Sequence, residues 1–179
     1  MNTIQETWVD YSRAVINKEA SAEQRRIMKH AYYSGANNTL QLMWQLGDAR
    51  TDEDKAVEIL DIYNKEVEEF FTNIHPEDSK LSGSSKEGVV YATWCEYLIL
   101  NGMVGLDPGP EHDIKASYYA GIHSVLNLSM NEFVDMSLDA GAMIIQGLSE
   151  EVSMYFKEDH ERKQPKSTKP KRKKRPKRH

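Results

Sequence analysis

A chain of 179 residues, 39% of them apolar, has room for one ordinary domain or two very small ones. Its net charge of −5 joins two opposite objects: residues 1–156 hold 11 Lys/Arg and 25 Asp/Glu, net −14, and residues 157–179 hold 12 Lys/Arg and 3 Asp/Glu, net +9. No apolar run approaches the ~18 residues of a membrane span, the start Met-Asn-Thr-Ile-Gln-Glu lacks the pattern of a signal peptide, and a single cysteine, Cys95, excludes an intrachain disulfide and fits a reducing compartment.

Periodicity predicts helices throughout, and no segment alternates as a strand does. The first helix spans about 3–19, with Ile4, Trp8, Tyr11 and Val15 on one face. Ser21-Ala22-Glu23-Gln24 reads as a capping box opening a helix over 22–47. Its stripe is Ile27, Ala31, Ser34 or Gly35, Asn38, Leu42 and Leu46, and Gly47 ends it in the left-handed conformation. Thr51 is placed to cap a third helix over 52–72, whose apolar face is Val57, Leu60 or Ile59, Asn64, Val67 and Phe71. Residues 73–86 lose all periodicity and read as a linker. A fourth helix follows over 88–104, with Val90, Trp94, Tyr97 or Leu98 and Met103 inward. Asp107-Pro108-Gly109-Pro110 reads as a rigid turn. The last two helices are 111–134 and 138–157, with Ser137 as cap of the sixth.

Residues 7–42 and 93–128 align without a gap at an offset of 86. Thr7-Trp8-x-x-Tyr11 returns as Thr93-Trp94-x-x-Tyr97, and Lys29-x-x-Tyr32-Tyr33-x-Gly35 as Lys115-x-x-Tyr118-Tyr119-x-Gly121. With Leu40 and Leu42 against Leu126 and Leu128 there are nine identities in 36 positions. After a slip of one residue, Glu66-Val67 match Glu151-Val152, while Phe70 matches Phe156 at the original offset. A fixed period dictates architecture. The expected fold is therefore all-α: duplicated three-helix units, residues 1–72 and 87–157, joined by the 73–86 linker into a six-helix bundle with pseudo-twofold symmetry. Residues 158–179 form a disordered basic tail. Each unit alone would bury too little surface, so the two are expected to share one core.

Gly35 and Gly121 interrupt helices at the same register, each at a cost of about 1 kcal/mol relative to Ala. Close approach of another helix is the expected reason. Trp8, Trp94 and the pairs Tyr32-Tyr33 and Tyr118-Tyr119 then wrap the crossing, one tyrosine of each pair toward the core and the other toward the unit boundary. A sharper reading puts the four tyrosines in a ligand pocket between the units.

The segment Arg26-Ile27-Met28-Lys29-His30-Ala31-Tyr32-Tyr33-Ser34-Gly35-Ala36 resembles a pattern, R/K-x-A-F/Y-Y-x-G-A, of functionally uncharacterised small helical phage and prophage proteins. The second copy, Lys115-Ala116-Ser117-Tyr118-Tyr119-Ala120-Gly121-Ile122, keeps the core of the pattern and replaces the last Ala. The resemblance implies a phage or prophage origin and a bacterial host cytoplasm. It carries over no catalytic residues. Single-unit relatives would make this chain a fused dimer.

Catalytic signatures are absent. The pairs Glu58-x-x-Asp61, Glu66-x-x-Glu69 and Glu132-x-x-Asp135 have the spacing of helical di-metal carboxylates. Such pairs are common in an acidic chain and read first as solvated faces. Glu58 and Asp61 become Ile144 and Gly147 at the 86-residue offset, which speaks against a metal role. None of the six histidines makes an H-x-x-x-H pair. Cys95, beside Trp94, reads as a buried inert thiol. No cofactor or metal is expected, and the chain reads as a non-enzyme.

The tail is the strongest functional sign. Arg162–His179 holds 11 Lys/Arg, three prolines and no acid. Lys169, Lys171, Arg172, Lys173, Lys174, Arg175, Lys177 and Arg178 form a dense cationic run suited to nonspecific phosphate contact. It has no aromatic residue for base stacking. The expected partners are nucleic acid through the tail and a host or phage protein through the acidic body, with no membrane partner. The leading expectation is a phage accessory protein, a helical interaction module with a nucleic-acid-binding tail. An acidic inhibitor docking on a basic host protein is the alternative, and a metal-dependent helical hydrolase the third reading.

Overall fold

The structure is a computed structural model that describes residues 3–47, 51–72, 88–133 and 137–163. The described residues form α-helices and no strand: α1 (Ile4–Ala14), α2 (Ala22–Leu46), α3 (Glu53–Thr72), α4 (Val89–Leu100), α5 (Pro108–Phe133) and α6 (Leu138–Lys163). The expected linker, 73–86, lies outside the described residues.

Local chemistry sets the helix ends. Thr3 and Glu6 form a reciprocal capping box on α1, and Ser21 and Gln24 form one on α2. Ser137 Oγ accepts the Ala140 amide at 3.3 Å at the start of α6. Asp52, rather than Thr51, caps α3: its carboxylate accepts the Lys55 amide at 3.1 Å, while the Thr51 hydroxyl donates back to Gln45 O. Pro108 opens α5 instead of belonging to a turn before it. Proline is at home in the first turn, where a missing amide proton leaves nothing unpaired. Gly47 ends α2 at φ −75°, so its freedom to turn left-handed is not used.

Three other expectations are corrected. α1 stops at Ala14 rather than 19, because the Arg25 guanidinium donates to the carbonyls of Asn17, Lys18 and Ala20 and holds that segment as a loop. Val15 is thereby left 60% exposed. α4 likewise ends at Leu100, followed by Gly102 and Gly105 at positive φ. α6 runs to Lys163, into residues read as tail. Asp159 is buried there with Arg26 of α2 at 3.7 Å, which keeps this turn attached to the body.

α2 and α5 are the central pair. α2 buries Met28, Tyr32, Tyr33, Ala36 and Leu40 on several sides rather than along one stripe. The remaining helices exchange sides. α3 packs on α5 and α4, and α6 packs on α2 and α1, so the third helix of each half lies on the other half. On α3 this selects Tyr63, Val67 and Phe70 as the buried residues. Val57 is exposed and Phe71 only half-buried, a rotation of the expected face. One core holds side chains from both halves.

Candidate functional site

The conspicuous sequence motifs meet where α2 crosses α5. A Cβ on Gly35 would overlap the backbone carbonyl of Tyr118, and a Cβ on Gly121 would overlap that of Tyr32. The backbones touch, and only glycine permits it. The two contacts exchange under the 86-residue offset. So do the surrounding ones. Tyr32 packs edge-on to Trp8 at 5.3 Å, and its hydroxyl pairs with Ser124 Oγ at 2.5 Å. Tyr118 packs on Trp94 at 5.5 Å, and its hydroxyl accepts Asn38 Nδ2 at 2.5 Å. Asn38 and Ser124 are themselves 86 apart.

The second tyrosines meet the exchanged helices. Tyr33 stacks on Tyr155 of α6 at 4.0 Å, and Tyr119 on Phe70 of α3 at 4.1 Å. A lysine covers each stack. Lys29 Nζ lies 5.5 Å from the Tyr33 ring and 5.4 Å from Tyr155. Lys115 Nζ lies 5.6 Å from Tyr119, 5.5 Å from Phe70 and 5.0 Å from Tyr91. Burial pushes both lysines below the usual range, since an ammonium loses hydration there. It pushes all four tyrosines up, Tyr118 to about 12. All four rings are at most 2% exposed. This filled seam replaces the tyrosine-lined pocket, and both members of each pair are interior.

Two carboxylates bind the halves together. Glu151 of α6 accepts the free amides of Ile4 and Gln5 at 3.0 and 2.5 Å, at the start of α1. Glu66 of α3 accepts those of Val90 and Tyr91 at 3.0 and 2.7 Å, at the start of α4. A carboxylate suits a helix N-terminus, where the first amides lack partners and the dipole is positive. Gly88 has no side chain to cap α4, and its Cα lies against Glu66. The repeated Glu-Val signalled these positions, but not that each carboxylate serves the other half.

Glu66 is thus engaged in capping, whereas Glu58, Asp61 and Glu69 are exposed on α3. Among the described residues, no group of three or more His, Cys, Asp and Glu is placed to share a metal ion. Cys95 is half-buried. No described helix is long and apolar enough to cross a membrane.

The open space lies elsewhere. A groove of about 620 Å³ runs along α5 between the end of α1 and the end of α3. Small residues Ala116 and Ser117 lie along it, Tyr11 and Phe71 flank it, and Asp113 and His112 add polar groups. It continues past Phe71 into a recess of about 520 Å³ beside Ala120 and His123. Burial pushes His123 below the usual histidine range. Among the described residues, neither volume has a Lys or Arg on its wall. A smaller space of about 220 Å³ lies under α6, beside Lys29, Tyr33, Glu151 and Arg162. The tail residues Lys169, Lys171, Arg172, Lys173, Lys174, Arg175, Lys177 and Arg178 lie outside the described residues. No family model, curated protein or solved structure matches the chain.

Proposed function

We propose that the protein is a non-enzymatic helical scaffold, a duplicated unit of phage or prophage origin working in a bacterial cytoplasm, whose basic tail contacts nucleic acid without sequence preference. The observation that carries the proposal is the charge split, −14 over residues 1–156 against +9 over 157–179. α6 supports it, because it is tied to the body by Arg26–Asp159 up to the point where the cationic run begins. A dense set of Lys and Arg displaces counterions from phosphates, so affinity falls steeply with salt. The pairing of contacts at offsets of 85 and 86 supports the duplication.

The test is a titration of the full chain and of a chain ending at Lys163 against random-sequence double-stranded DNA. The full chain should bind, with log affinity falling linearly in log salt, and the shortened chain should lose at least tenfold in affinity. Equal binding by both would sink the proposal. The acidic surface favours a second reading, docking on a basic protein. Glu53, Asp54, Glu58, Asp61, Glu68 and Glu69 are all exposed on α3, against Lys55 and Lys65. Salt-sensitive binding of the shortened chain to a cationic protein such as lysozyme, without binding to DNA by the full chain, would favour that reading.

A further inference from the structure

The two sides of the α2–α5 crossing are not equally filled, and the difference opens a site. On one side, His30 of α2 sits between Tyr97 of α4 and Phe156 of α6. Its ring lies 5.9 Å from Tyr97 and 5.3 Å from Phe156, and its Nδ1 is 3.2 Å from the Tyr97 hydroxyl. The counterparts on the other side of the crossing are Tyr11 at an offset of 86, Phe71 at the offset of 85 that relates Glu66 to Glu151 and, in place of the histidine, Ala116 at 86. The space an imidazole fills on one side is therefore part of the 620 Å³ groove on the other, and Tyr11, Phe71 and Ala116 all line it.

The chemistry left there is specific. Ser117 Oγ donates to the Asp113 carbonyl at 2.9 Å. Its remaining role toward the Tyr11 hydroxyl, 3.3 Å away, is acceptor. Tyr11 therefore donates to Ser117 and keeps its own lone pairs free for an incoming N–H. Among the described residues, Asp113 and Glu19 are the carboxylates on the wall, His112 is its one ionisable base, and no Lys or Arg lines it. The walls admit a flat ring: Met28, Phe71 and Ala116 are apolar, and Ala116 leaves the depth that a larger side chain would take.

We infer that the groove between Tyr11 and Phe71 binds a small planar N-heteroaromatic molecule, neutral or cationic, which presents a ring N–H to the Tyr11 hydroxyl and takes the place that His30 fills on the other side. The inference rests on the correspondence between the halves and not on the role of the tail. Phosphorylated nucleotides and aromatic acids are poorer fits, because among the described residues the wall sets Asp113 and Glu19 against His112 and no Lys or Arg.

The experiment uses the full chain and follows backbone amide resonances by NMR during titration with benzimidazole and, separately, with benzoate, an anion of similar flat shape. Benzimidazole should bind saturably, with the largest shifts at Ala116, Ser117 and Tyr11, and benzoate should bind at least tenfold more weakly. Ala116→His puts into the groove the side chain its counterpart already carries. It should fold with unchanged helical content and abolish saturable binding. Tyr11→Phe should weaken binding about fivefold, the effect of one ordinary hydrogen bond. Absence of saturable shifts at these residues, or benzoate binding as tightly as benzimidazole, overturns the site. Saturable binding at these residues that survives in a folded Ala116→His overturns the His30 analogy while leaving a ligand site. If Ala116→His fails to fold, the correspondence between halves is wrong at this position, and the Tyr11→Phe ratio alone then decides whether the hydroxyl recognises the ring.

Discussion

At residue scale the crossing glycines are the most constrained positions. The nearest atoms a methyl would meet at Gly35 and Gly121 are backbone, which has no rotamer to retreat to. Gly35→Ala is expected to destabilise by about 1–3 kcal/mol, the cost of forcing bulk into a packed contact. Gly147→Ala is the control: it lies inside α6 with nothing within 4 Å, so the same change should stabilise by about 0.5–1 kcal/mol through helix propensity. Urea denaturation of the two variants against the parent chain measures both signs. His123 gives the pH dependence. Its folded pKa is depressed by burial, while Glu68 acts weakly in the opposite sense. The unfolded chain therefore binds the proton more readily than the folded one. Its contribution is fully present above the ordinary value of 6.5 and is lost as pH falls from there through the folded value. His123→Asn should flatten that part of the stability profile. A profile with the same slope in parent and variant would contradict the assignment. The glycines were legible from their register alone. His30 was not, since the sequence shows a histidine opposite an alanine but not the rings on either side.

At element scale the decisive event is the exchange of third helices. Six helices and their order were legible, because periodicity and capping boxes are local. The register of α3 was not. Its expected face, Val57 to Phe71, and its observed face, Tyr63, Val67 and Phe70, are both apolar stripes. Only the partner, α5 with Tyr119, chooses between them. The end of α1 was misjudged for a similar reason: Arg25 acts on it from the next helix. Exchange also makes each capping carboxylate a contact between halves. Glu151→Ala leaves the Ile4 and Gln5 amides without their acceptor and should cost about 1–2 kcal/mol, the usual range for a lost N-cap. Amide exchange at those two residues should quicken well before the rest of α1. Glu66→Ala should do the same to Val90 and Tyr91. Equal protection in parent and variant would show that the carboxylates do not hold the helix starts.

For the whole molecule, the described residues hold one interior built from both halves. The tyrosine seam, the stacked rings and the cross-caps all join residues of one half to residues of the other. A break in the covalent connection should therefore matter less than a break in this seam. A protease site placed between residues 73 and 86 and cut after folding should give a nicked protein that elutes at its original volume and melts in one transition. Two separated fragments, or two transitions, would show that the halves have interiors of their own. The shared core followed from a simple size argument, that neither half has enough surface to bury. The unequal filling of the two sides did not follow from it, because residues matched along the chain show identities and hide where their counterparts differ in bulk.

The pairing of Ile4 with Glu151, 147 positions along the chain, has a consequence for biosynthesis. During synthesis α1 is made before α6, so its opening amides wait for the sixth helix before they find their acceptor. Until Glu151 has been made, the Ile4 and Gln5 amides lack this carboxylate, so α1 closes onto the bundle only after α6 has formed.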